Sequence, residues 1–500
     1  RANDPLRVNG ADIRAVIIGE GGNLGMTQLG RIEYANKGGR INTDFIDNVG
    51  GVSCSDNEVN IKILLNGLVN QGKLTREQRD EMLFAMTEDV REIVLTDAKR
   101  QTQSMSVNYL RGVSQIKEIQ RFIHQLERDG HLDRAIEFLP SDDELAERIA
   151  NGKGFTRPEL AVLSAYGKMV LKDEFAIDEI ANDPFHAKEL VNSFPAALRE
   201  KFADNVEELP LRTEIIATKV ANNRLNDMGP NFLLRKKEAT GATSAEIAAS
   251  YVISRELFEA HKIRAEIEAL DNVISAEAQN QILFQVRRLV RRGTRWFLRH
   301  KNPALKGIQA HIDFYKAAFD DLRENALDYI TDVEAKEIKA DIARLEEIGV
   351  PAALAKQVGL LSTTFSAMDI AEVSAESSQE ISTVAQIYFR LGAKTELHWF
   401  LNEVNAQPTA NHWQALARAA FREELDWQQR ELTGTVLKFA DKADTPAAML
   451  ELWMEKNANH LSRWKQMLAD FKSTQSHEFA KFSVALSELM MLGQHCGAEQ

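Results

Sequence analysis

The glycines of this 500-residue chain are unevenly spread: ten of the 27 fall within the first 51 residues, mostly where short apolar runs end. That clustering sets the first 70 residues apart from the rest. Ala15-Val16-Ile17-Ile18-Gly19 is an apolar run between Arg14 and a glycine cluster, the pattern of a buried parallel strand. A helical segment over 28–36 follows, then an extended stretch near 40–46 and the turn Asp47-Asn48-Val49-Gly50-Gly51. A second helix is expected to begin near Ser55, with Val59, Ile63 and Leu64 at helical spacing. Strand, helix, strand, helix in so short a span predicts a βαβα unit with parallel strands and right-handed crossovers.

Beyond residue 70 two-residue alternation nearly disappears and helix signals recur. Thr75-x-x-Gln78, Ser141-x-x-Glu144, Thr156-x-x-Glu159 and Thr243-x-x-Glu246 are capping boxes. In each, the hydroxyl can accept an N–H that the first helical turn leaves unpaired, and the acid or amide reciprocates. Ile247, Tyr251, Leu257 and Phe258 continue the last of these at helical spacing. Trp413, Leu416, Ala417, Ala420 and Phe421 form an apolar stripe after Pro408-Thr409, and residues 320–350 read as one charged helix with Leu and Ile on one face. No fixed-period repeat emerges, which argues against a solenoid. Gly152-Lys153-Gly154, 300–307 and 405–409 are the linker candidates. The expected fold class is mainly α, an N-terminal α/β segment followed by a large all-helical region.

Composition narrows the partners. Lys and Arg total 61 against 74 Asp and Glu, a net charge of −13, so nucleic acid and anionic membranes are not expected partners. No apolar run approaches the roughly 20 residues needed to cross a bilayer. Two cysteines far apart in sequence, Cys54 and Cys496, exclude a disulfide framework and suit a reducing cytoplasm. Arg1-Ala2-Asn3-Asp4-Pro5 has neither methionine nor an apolar signal core, and the chain is expected to be part of a longer polypeptide.

Two glycine-rich turns are the candidate site. Gly19-Glu20-Gly21-Gly22-Asn23-Leu24-Gly25 follows a predicted strand, where open α/β sheets place ligands. It lacks the third glycine of G-x-G-x-x-G, so the main pyrophosphate loop is not expected here. Glycines still let backbone approach a flat ring, and an asparagine amide offers donor and acceptor together. Asn48-Val49-Gly50-Gly51-Val52-Ser53-Cys54-Ser55 repeats the arrangement and leads into a helix N-terminus, which favours a carboxylate. Each residue has a plainer reading. The glycines could serve only tight turns, Ser55 could be the N-cap of a Ser55-x-x-Glu58 capping box, and Asn23 and Asn48 could simply tolerate left-handed backbone. Local sequence leaves these open.

Gly19-Glu20-Gly21-Gly22-Asn23 resembles the "EGAN" segment of glutamate, leucine, phenylalanine and valine dehydrogenases, and Asn48–Ser55 resembles their "NAGGV-x-x-S" segment. The extended forms around both turns are similar to those of the very large bacterial NAD-specific glutamate dehydrogenases. So are Phe155-Thr156-Arg157-Pro158-Glu159-Leu160-Ala161-Val162-Leu163, Leu211–Thr218 and Tyr388-Phe389-Arg390-Leu391-Gly392. The resemblance implies that residues 1–75 are the C-terminal part of a Rossmann-like NAD-binding domain, 76–150 connecting helices and 151–500 a helical C-terminal domain. It implies oxidation of L-glutamate to 2-oxoglutarate with NAD by a cytoplasmic homo-oligomer. Gly22 and Asn23 would line the nicotinamide-ribose pocket, Asn48 would meet the carboxamide and Ser55 would bind a substrate carboxylate. Asp56-Asn57 departs from the aromatic pair that smaller relatives carry after this serine. The family's catalytic lysine and aspartate and its main glycine fingerprint have no match in this sequence, so no catalytic residue is assigned and these 500 residues are expected to be inactive alone. The alternative is a helical oligomerisation or regulatory module of a related amino-acid dehydrogenase.

Other features carry less. Arg288, Arg292, Arg295 and Arg299 make a basic helical face within the Arg- and Lys-rich stretch 285–302, expected to be solvated or paired with acidic helices. The eleven histidines show no zinc spacing and no metal is expected; His398 and His412 beside tryptophans read as surface or packing residues. Cys54, with no neighbouring base, reads as a small apolar filler.

Overall fold

A computed structural model describes residues 8–300, 302, 304–407, 412–473 and 479–498. Among these residues the chain is mainly helical and contains no β-strand. The expected strand pair is reduced to one parallel bridge between Ile17 and Arg40. Ile18 N–H donates to the Arg40 carbonyl at 2.9 Å, and Arg40 N–H to the Val16 carbonyl at 3.0 Å. The predicted burial of this run is not met: Val16 is 71% and Ile17 64% exposed. An apolar run is buried only when neighbours cover both of its faces, and here one segment flanks one edge.

The helix Gln28–Asn36 forms where periodicity placed it, with the Thr27 hydroxyl accepting the Gly30 N–H at 3.1 Å. The second helix does not begin near Ser55. A helical turn, Asp44–Asp47, runs through Asn48 into Val49–Asn70, so Gly50 and Gly51 are helical and the Ser55 capping box is not made. All four capping boxes named beyond residue 70 pair as expected; in Ser141–Glu144, for example, the reciprocal bonds are 2.7 and 3.2 Å. Residues 320–350 are two helices, Gly307–Tyr329 and Asp332–Glu347, divided at Ile330 and Thr331. The stripe beginning at Trp413 opens the helix His412–Leu437, yet Trp413 is exposed and the buried side chains come later, at Leu425, Leu432 and Val436. Pro408, Thr409, Lys301 and the His412 side chain lie outside the described residues.

The chain divides into two compact units. The first comprises Arg1–Ser250, Asn280–Arg287 and Leu298–His300. One of its cores is built on Ile116–Arg128, where Ile116, Ile119, Ile123 and Leu126 share a face and pack with Leu145, Phe155, Leu160 and Leu163. The helix Thr87–Tyr109 packs on Val49–Asn70, and Arg157–Phe175 packs on Thr87–Tyr109 and on Gln28–Asn36. Gly167 lets Arg157–Phe175 lie against Pro230: a Cβ there would stand 2.8 Å from the proline ring.

The second unit comprises Tyr251–Gln279, Arg288–Phe297 and Lys301–Gln500. Its core includes Phe319, Leu322, Val384, Leu391, Phe400, Trp453 and Trp464, with both indole N–H groups satisfied, Trp453 by Thr435 at 2.9 Å and Trp464 by the Thr395 carbonyl at 2.8 Å. Asp369 is 2% exposed and accepts from two neutral donors, the Trp296 indole at 3.2 Å and the Tyr388 hydroxyl at 3.4 Å. Burial, with the Asp426 charge adding to it and Arg430 opposing it, pushes the Asp369 carboxyl up to about 8. A carboxyl whose folded pKa lies above its unfolded value stabilises fully below the unfolded value and loses that contribution as pH rises through the folded one. Wild-type stability is therefore expected to fall between about pH 4 and pH 8 with a slope approaching about 1.4 kcal/mol per pH unit from this group. Asp369→Asn should remove that slope, so the Tm difference between variant and wild type grows in the variant's favour from pH 5 to pH 8. Parallel Tm curves across that range would exclude this assignment.

Candidate functional site

The first glycine turn is shaped by a buried ion pair. Glu20 and Arg31 are each almost fully buried, and the Arg31 fork grips both Glu20 oxygens at 2.6 and 2.8 Å. The hydrogen bond to Glu20 is the main cause that raises the Arg31 pKa. Glu20 also accepts the Met26 N–H at 3.0 Å, closing residues 20–26 into a loop. Asp44 lies 3.4 Å from Arg31 and accepts the Leu24 N–H at 2.9 Å. Burial works to raise the Asp44 carboxyl, but the Leu24 N–H and Arg31 outweigh it and hold it below the ordinary value. Leu24, exposed, takes the left-handed φ of 61° in this loop, while none of Gly19, Gly21, Gly22 or Gly25 does.

The second turn is tied to the first through Asp47. One of its oxygens accepts the Glu20 N–H at 3.0 Å and the other the Asn42 amide at 2.8 Å. Asn42 in turn accepts from Arg157 Nε at 2.9 Å. Next in sequence, Asn48 donates from Nδ2 to Asn23 Oδ1 at 2.9 Å. Two turns separated by 25 residues therefore meet through their asparagine amides. A Cβ built on Gly21 or Gly22 would find no atom within 4 Å, so neither backbone conformation nor packing in this chain calls for glycine there. At Gly51 a Cβ would stand 3.0 Å from Asn48 Oδ1 and would press on that amide.

Of the four residues singled out from sequence, Gly22, Asn23 and Asn48 come together. Ser55 stands apart from that contact, in the second turn of Val49–Asn70, with its hydroxyl donating to the Gly51 carbonyl at 3.3 Å. It is not at the helix N-terminus, because the helix starts six residues earlier. Cys54 is an exposed free thiol rather than a buried filler.

Sequence reading did not single out the supports: Arg31, Asp44, Asp47, Asn42 and Arg157. Their one local signal is Asp44 and Asp47 three residues apart just before Asn48. Lys168, also missed, has its pKa lowered by burial, with Asp97 and Asp56 opposing and Lys219 and Lys172 reinforcing the shift. The basic face of Ala276–Arg299 is largely paired. Arg299 donates to the Ala239 carbonyl at 3.4 Å within the first unit, and Arg295 to Glu423 at 3.1 Å within the second, where Arg292 also bonds Asp426. His398 lies on a helix surface beside Asn402, at 3.2 Å. Among the described residues, no three His, Cys, Asp or Glu side chains are grouped to hold a metal ion, and no helix is long and apolar enough to cross a membrane.

Residues 1–108 match the family model described as bacterial NAD-glutamate dehydrogenase, catalytic domain, and residues 152–491 the one described as glutamate dehydrogenase, C-terminal. The chain is 42% identical over 497 residues to the NAD-specific glutamate dehydrogenase of Pseudomonas aeruginosa and 39% identical over 494 residues to that of Halomonas elongata. It is 32% identical over 497 residues to that of Mycobacterium tuberculosis. Each alignment covers 99% of this chain, and the chain spans about 30% of the length of each of these relatives. With residues 152–491, more than half of its length, matched by the C-terminal family model, the chain belongs to the glutamate dehydrogenase family that this model describes.

Proposed function

We propose that the polypeptide containing these residues converts L-glutamate, NAD and water to 2-oxoglutarate, ammonium and NADH, and that residues 15–55 form one wall of its coenzyme crevice. The observation that carries this reading is the 2.9 Å bond between Asn48 and Asn23, which joins the two turns beside glycines whose missing side chains face open space. That arrangement fits a flat, amide-bearing ring: the open glycines admit the ring, and among the described residues the Asn23 side-chain N–H and the Asn48 side-chain carbonyl remain for a carboxamide or a ribose hydroxyl. When bound, NAD supplies the hydride acceptor; the chain's part is to hold and orient it. Gly22 and Asn23 line the ribose side and Asn48 meets the carboxamide. Ser55, whose hydroxyl is exposed on the same helix, exchanges its bond to Gly51 for a substrate carboxylate.

In this reading residues 1–75 complete a Rossmann-like domain, and the exposed Val16 and Ile17 are covered by the preceding part of the polypeptide. Residues 76–150 connect it to a helical domain over 151–500. Homo-oligomerisation in the cytoplasm belongs to the same proposal. The lysine and aspartate that such dehydrogenases use for carbonyl activation and proton transfer come from outside residues 1–500.

Two measurements test this. Residues 1–500 expressed alone should give no glutamate-dependent rise in NADH absorbance, whereas the full-length polypeptide should; activity of the 500 residues equal to the full-length protein would overturn the reading. In the full-length protein, Gly22→Val should leave Tm within a few degrees because a Cβ at this position finds no atom within 4 Å. The same change should raise the KM for NAD by roughly tenfold or more, as should Asn48→Ala through a lost hydrogen bond. A Gly22→Val protein that binds NAD normally but loses stability would return that glycine to a purely structural role.

A further inference from the structure

We propose that Arg157 is a positioning residue for the coenzyme, acting from the helical region through Asn42 and Asp47; this rests on the reading above that the two turns hold NAD. Arg157 opens the helix Arg157–Phe175, and that helix start is itself firmly held. The Glu159 carboxylate accepts the Thr156 N–H at 2.7 Å and the Thr156 hydroxyl at 2.8 Å, and the Arg148 fork clasps it at 2.7 and 2.8 Å. Gln28, from the helix behind the first turn, reaches the Pro158 carbonyl at 3.2 Å. Arg157 is therefore presented from a fixed base.

Its guanidinium divides between two directions. NH1 donates to the Ser106 hydroxyl at 2.9 Å, with a longer NH2 contact to the Thr102 carbonyl at 3.5 Å, which anchors it to Thr87–Tyr109. Nε donates to Asn42 Oδ1 at 2.9 Å. That bond sets which way the Asn42 amide faces, since an amide accepts only through its oxygen. With the oxygen engaged, Nδ2 donates to Asp47 at 2.8 Å and leaves the other Asp47 oxygen to the Glu20 N–H at 3.0 Å. Asp47 immediately precedes Asn48, so the relay Arg157–Asn42–Asp47–Glu20 fixes one turn against the other where Asn48 and Asn23 meet. The planar fork of arginine can serve Ser106 and Asn42 together, and the single ammonium of lysine cannot reproduce that geometry.

The relay separates from simple stapling through a near-isosteric change. Asn42→Asp keeps an acceptor for Arg157 and so keeps the staple, but it removes the donor to Asp47 and sets two carboxylates face to face. In the full-length protein, NADH affinity by fluorescence titration, kcat and KM for NAD and for glutamate, and Tm would be compared for wild type, Asn42→Asp, Arg157→Lys and the double variant. Each single variant should raise the NADH Kd and the KM for NAD by roughly tenfold, with Tm and the KM for glutamate little changed. The double variant should be no worse than the poorer single one, because both changes break one chain. Folded Asn42→Asp protein that binds NADH like wild type, or single losses that multiply in the double variant, would overturn the relay. Wild-type protein that fails to bind NADH would overturn the coenzyme reading and the relay with it, an outcome distinct from a relay that fails in a protein that binds.

Discussion

The bidentate pair between Glu20 and Arg31 is the contact on which the site depends. Both side chains are almost wholly out of water, where removing one partner of an ion pair costs about 3–5 kcal/mol because the other charge is left without compensation. The pair is also a hub. Glu20 closes its own loop through the Met26 N–H, while Arg31 lies beside Asp44, which takes the Leu24 N–H. A glycine-rich loop has little side-chain surface to bury and much backbone entropy to lose. Here charged side chains, Glu20 at the start of the loop and Arg31 and Asp44 beyond it, supply the order that the glycines cannot.

That division of labour explains why the left-handed residue is Leu24 and not a glycine. The two carboxylates fix where the Leu24 and Met26 N–H groups must point, and the backbone between them takes the left-handed region at the cost this imposes on a branched residue. Gly21 and Gly22 are thereby released from shaping the loop. Their lack of side chains has its effect on what can approach from outside.

Much of this was legible in the residues, and the limits follow range. The helix over 28–36 and the four capping boxes rest on signals a few residues long. Thr331-x-x-Glu334 was as readable as the others and would have divided 320–350 correctly, since that box forms too. The start of the helix at Val49 was not readable locally. It follows from the helical turn Asp44–Asp47, held by contacts to residues 20 and 24 that override the local capping signal at Ser55. Arg157 lies in a stretch that resembles a family, yet its partner is Asn42, 115 residues away. The apolar run at Ala15–Ile18 misled because hydrophobicity reports what a segment can bury and not whether this chain supplies the cover.

The supports also indicate why a long helical region accompanies so small a pair of turns. Helices Thr87–Tyr109 and Arg157–Phe175 pack together, and Arg157 bonds the first while presenting its Nε toward the turns. A turn held only by neighbouring residues would carry the mobility of its own backbone into any site it formed. One held through Asp47 and Asn42 to a buried helix start inherits the rigidity of that packing instead. The short elements at the front of the chain, shaped by Glu20, Arg31 and Asp44, are thus also bonded to a residue more than a hundred positions downstream, through Asn42.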